Sequence, residues 1–274
     1  MKRALLVGVN KYKIPGNDLS GCLNDVKDVG RLLVDLYGFN AADITSLTDA
    51  EATTKRMRTE LVNLTKKTKA GDKLVFLFSG HGSNVPDKNG DEADGRDEIL
   101  CAHDLNWGDP ILDDWLRRTF NTLPAGANLT VLFDCCHSGS ATRMAPGGDR
   151  RSKYLACPLD LLAVESGKKL KGKVWGSRAS ARAISPKRSD VVTVDLPEVL
   201  LSGCRSNQTS MDAEFDNRPN GALVYYTVQT LRANPRLTYR QLHTRVKQQL
   251  LNGDYEQVPQ LEGRASRLDQ LVFS

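Results

Sequence analysis

Apolar runs of strand character alternate along the chain with stretches whose apolar residues recur at helical spacing. Arg3 to Val9 (RALLVGV) is an unbroken run too short for a helix, and it predicts a strand buried on both faces, as in parallel sheets. After a loop carrying Pro15 and Gly16, the positions Leu23, Val26, Val29, Leu32, Leu33 and Leu36 share one helical face that ends before Gly38. Ile44 to Leu47 predicts a short strand, Thr53 to Lys69 a basic amphipathic helix, and Leu74 to Phe78 a second buried strand. Strand, helix, strand, helix, strand is the order that builds a doubly wound sheet through right-handed crossovers. Further on, Glu98 to Ala102 reads as a strand, Asp113 to Thr119 as a helix with acids at its start, and Leu129 to Phe133 as another buried strand. Val199 to Ser202 (strand), Ala222 to Leu231 and Tyr239 to Leu251 (helices) and Asp269 to Phe273 (last strand) complete the pattern.

Two stretches break it. Ser83 to Asp97 is polar and acidic; its Asp, Gly and Asn content invites comparison with a calcium loop, but the EF-hand spacing is absent and a solvated loop is expected. Residues 143 to 190 carry twelve Lys and Arg against four Asp and Glu, so the rest of a chain with net charge +5 is slightly acidic. That segment is expected to be a long exposed loop. Tyr154 and Trp175 are its only aromatic residues and no nucleic-acid motif is recognisable, so binding to nucleic acid is not expected.

At 274 residues, 40% hydrophobic and 26% charged, the chain suits one domain with a sizeable core. MKRALLVGVNKY has too short an apolar run for a signal peptide and no later segment reaches the length of a membrane span, so a cytoplasmic, monomeric protein without membrane partners is expected. The six cysteines (22, 101, 135, 136, 157 and 204) lack the spacing of zinc sites, and neighbours such as Cys135 and Cys136 make poor disulfide partners. A reducing compartment suits them.

Chemistry enters at two strand ends. The run ending at Phe78 is followed by Ser79, Gly80, His81 and Gly82, and the run ending at Phe133 by Asp134, Cys135, Cys136 and His137. Reactive groups of open α/β sheets gather outside the carboxyl ends of strands. If these strands are neighbours, a thiol and an imidazole meet although His81 and Cys136 lie 55 positions apart. Either motif alone can be a tight turn or a buried structural cysteine; both together favour a nucleophile and its base. Alternation puts Cys136 on the side of Asp134 and Cys135 on the opposite, packed side, while His137 is too close in sequence to serve Cys136 and shapes the turn. His243 is expected at a surface or boundary and His103 in a loop.

The sequence SGHG followed by DCCHSG, with GCLNDVKDVGRLL at Gly21 to Leu33, DEADGRDEIL at Asp91 to Leu100 and SGCRSNQTSMDAEF at Ser202 to Phe215, resembles the caspase-like clan of cysteine peptidases. Within it, the chain looks like the metacaspases and their prokaryotic relatives, the orthocaspases; the QAC-type motif of caspases proper is missing. The resemblance covers the chain outside roughly residues 143 to 195. It implies a caspase-like α/β fold, a mainly parallel sheet with helices on both faces, and one catalytic domain. That domain divides into a large-subunit-like part (1–142), the basic loop (143–195) and a small-subunit-like part (196–274).

The same resemblance implies a cysteine endopeptidase with Cys136 as nucleophile and His81 as base. The backbone N–H groups of Gly82 and Cys136 would hold the oxyanion. Asp25, Asp134 and Ser79 would line a pocket for Arg or Lys at P1, the residue on the amino side of the cut bond. Asp25, read without the family, can also be a solvated residue near a helix start, the less favoured of the two readings. The partners implied are protein or peptide substrates, and an enzyme of this selectivity would cut its own basic loop, which carries Arg150, Arg151, Lys168, Lys169, Arg182, Lys187 and Arg188. In calcium-dependent relatives the ion is held by acids matching Asp97, Asp113 and Asp114 and by another where this chain has Arg143. Weak or absent calcium dependence is therefore expected, and no other cofactor. Three other readings compete: a catalytically silent binding module of the same fold, a basic nucleic-acid binder, and a redox protein using Cys135 and Cys136.

Overall fold

The computed structural model describes residues 1–88, 90, 95–136, 150–160, 189–205 and 208–274. Its strands are Lys2–Gly8 (β1), Ile44–Thr48 (β2), Lys73–Ser79 (β3), Gly82–Pro86 (β4), Arg96–Leu100 (β5), Ile111–Leu112 (β6), Asn128–Asp134 (β7), Arg150–Ser152 (β8), Val191–Thr193 (β9), Glu198–Ser202 (β10), Met211–Phe215 (β11), Arg218–Gly221 (β12) and Gln260–Gly263 (β13). The helices are Cys22–Tyr37 (α1), Thr54–Lys66 (α2), Asp113–Phe120 (α3), Ala222–Ala233 (α4), Tyr239–Asn252 (α5) and Ala265–Leu268 (α6).

The apolar runs form a seven-stranded sheet in the order β2-β1-β3-β7-β10-β13-β9. Its first five strands are parallel, and β13 joins β10 antiparallel. Alternate residues of each central strand serve opposite faces. On one face Leu6, Val75, Leu77 and Leu132 pack with α1, α4 and α5 through Val29, Leu33, Leu223, Val228, Leu242 and Val246. On the other, Leu5, Phe76, Phe78 and Val131 pack with α2 and α3 through Met57, Leu61, Leu116 and Phe120. Helix α1 ends where Gly38 turns left-handed (φ 65°) and its N–H returns to the Leu33 carbonyl, which is the stop the glycine announces. Strands come from both the 1–142 and the 196–274 parts, so one sheet joins them.

Register places the chemistry. Ser79 at the end of β3 stands opposite Asp134 at the end of β7, so His81 and Cys136 each lie two residues past a paired strand end.

Several expectations need correction. Asp269–Phe273 is not a strand: Leu271 makes one isolated bridge to Thr238, Phe273 has φ 57°, and Val272 and Phe273 anchor the chain end in the core instead of joining a ladder. The strand that runs antiparallel to β10 is β13, and β9 lies outside it at the edge. The acidic stretch is not loop throughout, because β4 pairs antiparallel with β5 at either side of it; residues 89 and 91–94 lie outside the described residues. The basic segment is not simply exposed: β8 joins a small sheet in the order β12-β11-β8, and Lys153, Leu155 and Cys157 are buried. The hairpin β11–β12 went unread; its turn, Asp216-Asn217, has positive φ at both residues, the geometry that Asn and Asp tolerate best. His243 is buried, with Nε2 2.9 Å from the Pro259 carbonyl.

Phe76 is fully buried and meets Phe120 and Phe133 edge-on. Phe76→Ala should cost about 3–5 kcal/mol, read as a lower urea midpoint at unchanged slope. A midpoint equal to the parent's would refute this account of the second core face.

Candidate active site

His81 lies two residues beyond the end of β3. Its backbone N–H donates to the Tyr12 hydroxyl (2.7 Å), and the two rings pack at 4.9 Å. Its Nε2 lies 2.8 Å from the Asn17 carbonyl oxygen, which can only accept, so Nε2 carries the proton. Nδ1 is then the unprotonated nitrogen, and it is buried without a hydrogen-bond partner among the described residues. Burial brings the imidazole's pKa down to about 4, which keeps it neutral and able to take a proton at neutral pH.

Cys135 and Cys136 part company at the end of β7. Cys135 packs into the second apolar cluster, and Cys136 turns its Sγ to Ser210, whose N–H donates to the sulfur. Burial raises the Cys136 thiol well above its ordinary pKa. With Sγ engaged by Ser210 and Nδ1 of His81 without a partner among the described residues, thiol and imidazole are not hydrogen-bonded to each other.

Around them sits a buried charge cluster. Asp25, in the first turn of α1, is fully buried and not solvated: its carboxylate accepts from Ser79 Oγ (2.6 Å), Asn220 Nδ2 (2.9 Å) and the Gly221 N–H (3.0 Å). Asp134 accepts from Ser210 Oγ (2.5 Å) and the Val224 N–H (3.3 Å). Lys153 lies between them, fully buried, its ammonium 2.9 Å from Ser79 Oγ, 3.3 Å from Asp134 and 3.4 Å from Asp25. Burial alone would lower the lysine's pKa, but Asp134, Asp25 and nearby Asp212 hold it well above its ordinary value. Burial raises Asp25, and the ammonium of Lys153 opposes that shift. Gly221 has no room for a side chain, because a Cβ there would stand 2.0 Å from Asp134 Oδ2 and 2.2 Å from Lys153 Nζ.

The backbone of Lys153 is held as firmly as its side chain. The Lys153 carbonyl oxygen accepts from both the Gly82 N–H (3.0 Å) and the Cys136 N–H (3.3 Å), while its own N–H donates to the Ser210 carbonyl (3.0 Å). Two convergent N–H groups polarise a carbonyl and stabilise an oxyanion formed there, and a cation among acids fixes which residue presents it.

The structure thus gathers His81, Gly82, Cys136, Asp25, Asp134 and Ser79 around one lysine. Sequence reasoning missed Lys153, Ser210, Asp212, Asn220 and Gly221. The Asn-Gly pair closing β12 was the one local signal for two of them; a lysine inside a basic segment gave none. Asp113 and Asp114 face Arg117 (3.6 Å) and Arg118 (3.5 Å), and among the described residues no group of three or more His, Cys, Asp or Glu can hold a metal ion. Asp97, Asp113 and Asp114 are the acids that would offer oxygen ligands to a calcium ion, Asp97 buried and the other two each facing an arginine. His137, Arg143, Lys168, Lys169, Arg182, Lys187 and Arg188 lie outside the described residues.

Comparison with known proteins agrees in family and fold. A family model, the metacaspase peptidase C14 domain, matches residues 2–145. Metacaspase-1 of Schizosaccharomyces pombe is 32% identical over 95% of this chain and 66% of its own length; Metacaspase-1A of Aspergillus oryzae is 33% identical over 95% and 67%. The chain thus spans about two thirds of the length of these curated relatives. Among solved structures, a Geobacter sulfurreducens protein aligns with a TM-score of 0.69 at 25% identity, covering 100% of this chain and 98% of its own. Caspase-1 of Spodoptera frugiperda aligns with a TM-score of 0.54 at 12% identity over 99% and 90%, a likeness of fold. The caspase-like α/β fold expected from sequence is the fold the chain has.

The depressed pKa of His81 gives a stability signature. Between pH 6.5 and about 4 the unfolded state binds a proton at this residue that the folded state refuses, so its contribution is present above pH 6.5 and lost as pH falls toward 4. The loss should reach about 3 kcal/mol. Urea unfolding of Cys136→Ala against Cys136→Ala/His81→Asn at pH 7, 5.5 and 4.5 should show the extra acid-side slope only where His81 is present; parallel slopes would refute the buried neutral imidazole.

Proposed function

Because the chain belongs to the metacaspase, peptidase C14, family, we propose that it is a cysteine endopeptidase that cuts peptide bonds after Lys or Arg, its own basic segment included. One observation carries this reading. Lys153 presents its ammonium to Asp25, Asp134 and Ser79 while its carbonyl oxygen accepts the N–H groups of Gly82 and Cys136, the posture of a residue about to be cut on its carboxyl side.

The roles follow from the geometry. Nδ1 of His81 takes the proton of Cys136, and the thiolate attacks the carbonyl carbon. The developing oxyanion rests on Gly82 and Cys136 N–H, and His81 returns the proton to the leaving amine. In the resting arrangement thiol and imidazole are both neutral and apart, so Sγ must leave Ser210 for the reaction to start. Asp25 and Asp134 replace the hydration a P1 cation gives up on entering the pocket; an Asp at P1 would add a like charge to two buried acids. Cys135 packs in an apolar cluster while Cys136 turns to Ser210, which weakens the redox reading. Arg150 and Arg151 donate to backbone carbonyls of this chain, which weakens a nucleic-acid reading of the basic segment. With Arg143 at the position of one acid of calcium-dependent relatives, calcium dependence should be weak or absent, and activity that vanishes in chelator and returns on adding calcium would refute this.

Peptides that differ only at P1 test the reading. Wild type should hydrolyse Lys and Arg substrates and leave Asp substrates uncut, and Cys136→Ala and His81→Ala should each lose activity. Asp134→Asn should lower kcat/KM for basic substrates by roughly tenfold or more, since truncating one partner of a desolvated charge pair commonly costs about 2–5 kcal/mol. A preference for Asp or large apolar residues at P1, or full activity in Cys136→Ala, would sink the proposal.

A further inference from the structure

We propose that Asp212 is a positioning residue of the cation pocket: from β11 it anchors the start of α1, and through that turn it sets where Asp25 stands. This rests on the peptidase reading and adds a residue on which recognition of the P1 cation depends without touching it.

Helix α1 begins without a side-chain cap of its own. Gly21 stands at its N-cap, and the N–H groups entering the helix are served from elsewhere in the chain. Asn10 Oδ1 accepts from the Cys22 N–H (2.9 Å). Asp212, 3% exposed, accepts from the Ser20 N–H (2.8 Å) and the Gly21 N–H (3.0 Å). A carboxylate at this end of a helix is also favoured by the helix dipole. The Gly21 carbonyl in turn accepts the Asp25 N–H (3.0 Å), so a single residue links the anchoring carboxylate to the pocket acid. No side chain fits at Gly21: a Cβ would lie 2.3 Å from Asp212 Oδ1 and 2.6 Å from the Asn220 backbone.

The hairpin that carries Asp212 grips the same helix at three more points. Asp212 stands opposite Gly221 in the β11–β12 ladder, and the Gly221 N–H donates to the Asp25 carboxylate (3.0 Å). Asn220 Nδ2 donates to Asp25 (2.9 Å) and Asp28 (3.0 Å), the Asn24 amide donates to the Pro219 carbonyl (2.8 Å), and Arg218 donates to Asp28 (3.0 Å). One hairpin therefore fixes the helix entry through Asp212 and the Asp25 carboxylate through Gly221 and Asn220. If the entry shifts, Asp25 leaves the donors placed for it, and the cation loses one of its two acids. Lys153 makes its ion pairs with Asp25 and Asp134; among the described residues Asp212 makes none with it.

Anchor and charge can be separated. Asp212 Oδ2 alone already accepts from both N–H groups, at 2.8 Å and 3.2 Å. Asparagine keeps one such oxygen and loses the charge, whereas alanine loses both and leaves the buried Gly21 N–H unpaired.

The test measures kcat and KM for peptides with Lys or Arg at P1 in wild type, Asp212→Asn, Asp212→Ala and Asn24→Ala. Each is first brought to constant activity, because Lys153 fills the pocket in the resting chain. Asp212→Ala should raise KM about tenfold with kcat within about threefold of wild type, and Asp212→Asn should bring KM back to within about threefold. Asn24→Ala loosens the same grip away from the pocket and should raise KM about threefold; it carries the test if Asp212→Ala does not fold. Alkylation of Cys136 by iodoacetamide, which needs no cation pocket, should keep its rate in every variant. The inference falls, and the peptidase reading survives, if Asp212→Ala, or Asn24→Ala in its stead, keeps the wild-type KM on peptides that wild type cuts. Asp212→Asn as impaired as Asp212→Ala would make the charge itself decisive and overturn the positioning role. Parallel losses of kcat and of alkylation rate would do the same, by reducing Asp212 to support of the whole fold. Wild type that cuts no basic peptide would end both proposals.

Discussion

The contact on which the site depends is one ammonium shared by two carboxylates out of reach of water. Asp25 and Asp134 are each fully buried, and so is Lys153. Taking such charges from water costs several kcal/mol apiece, and the arrangement holds only because each also finds hydrogen bonds. Gly221, Asn220 and Ser79 serve Asp25, Ser210 and Val224 serve Asp134, and Ser79 serves the lysine. Those partners come from β3, β12, the start of α4 and the loop before β11, so much of the fold is needed to hold one cation. Gly221 is the limiting member, because its missing side chain is the space the ammonium fills.

His81 and Cys136, the proposed reacting pair, obey a second constraint. Parallel pairing of β3 with β7, Ser79 opposite Asp134, brings imidazole and thiol to the same end of the sheet. Burial then pushes both toward their neutral forms, the imidazole down and the thiol up. The pair does not rest as an ion pair. Under the proposed reaction, ionisation has to be drawn out by a substrate carbonyl and by movement of Sγ away from Ser210, an arrangement that would keep a buried thiol quiet between turnovers.

Much of this was legible in the sequence, for identifiable reasons. Strands buried on both faces advertise themselves as unbroken apolar runs, and β1, β3 and β7 were read to within a residue or two. Helix α1 carried both its stripe and its terminating glycine. His81 and Cys136 stood out because each follows such a run directly. Lys153 was illegible because its burial is decided by acids 128 and 19 positions away, while its local surroundings are those of a solvated basic loop. Strand adjacency is equally absent from local pattern: nothing near Asp134 says that Ser79 faces it. The run at Asp269–Phe273 misled because two buried aromatic or aliphatic anchors look the same in sequence whether or not a ladder forms.

The sheet order has a mechanical consequence. Strand β10 lies beside β7 over five paired positions, Leu129–Phe133 with Glu198–Ser202, and α4 packs with α1 in one apolar cluster. The peptide link between Lys153 and Tyr154 therefore joins two pieces that are already zipped together along the middle of the molecule. Severing it would turn one chain into a tightly associated pair without changing the particle's size. Gel filtration should show a single species where denaturing electrophoresis shows two, and a separation of the pieces under native conditions would mean that the central ladder is weaker than its burial implies.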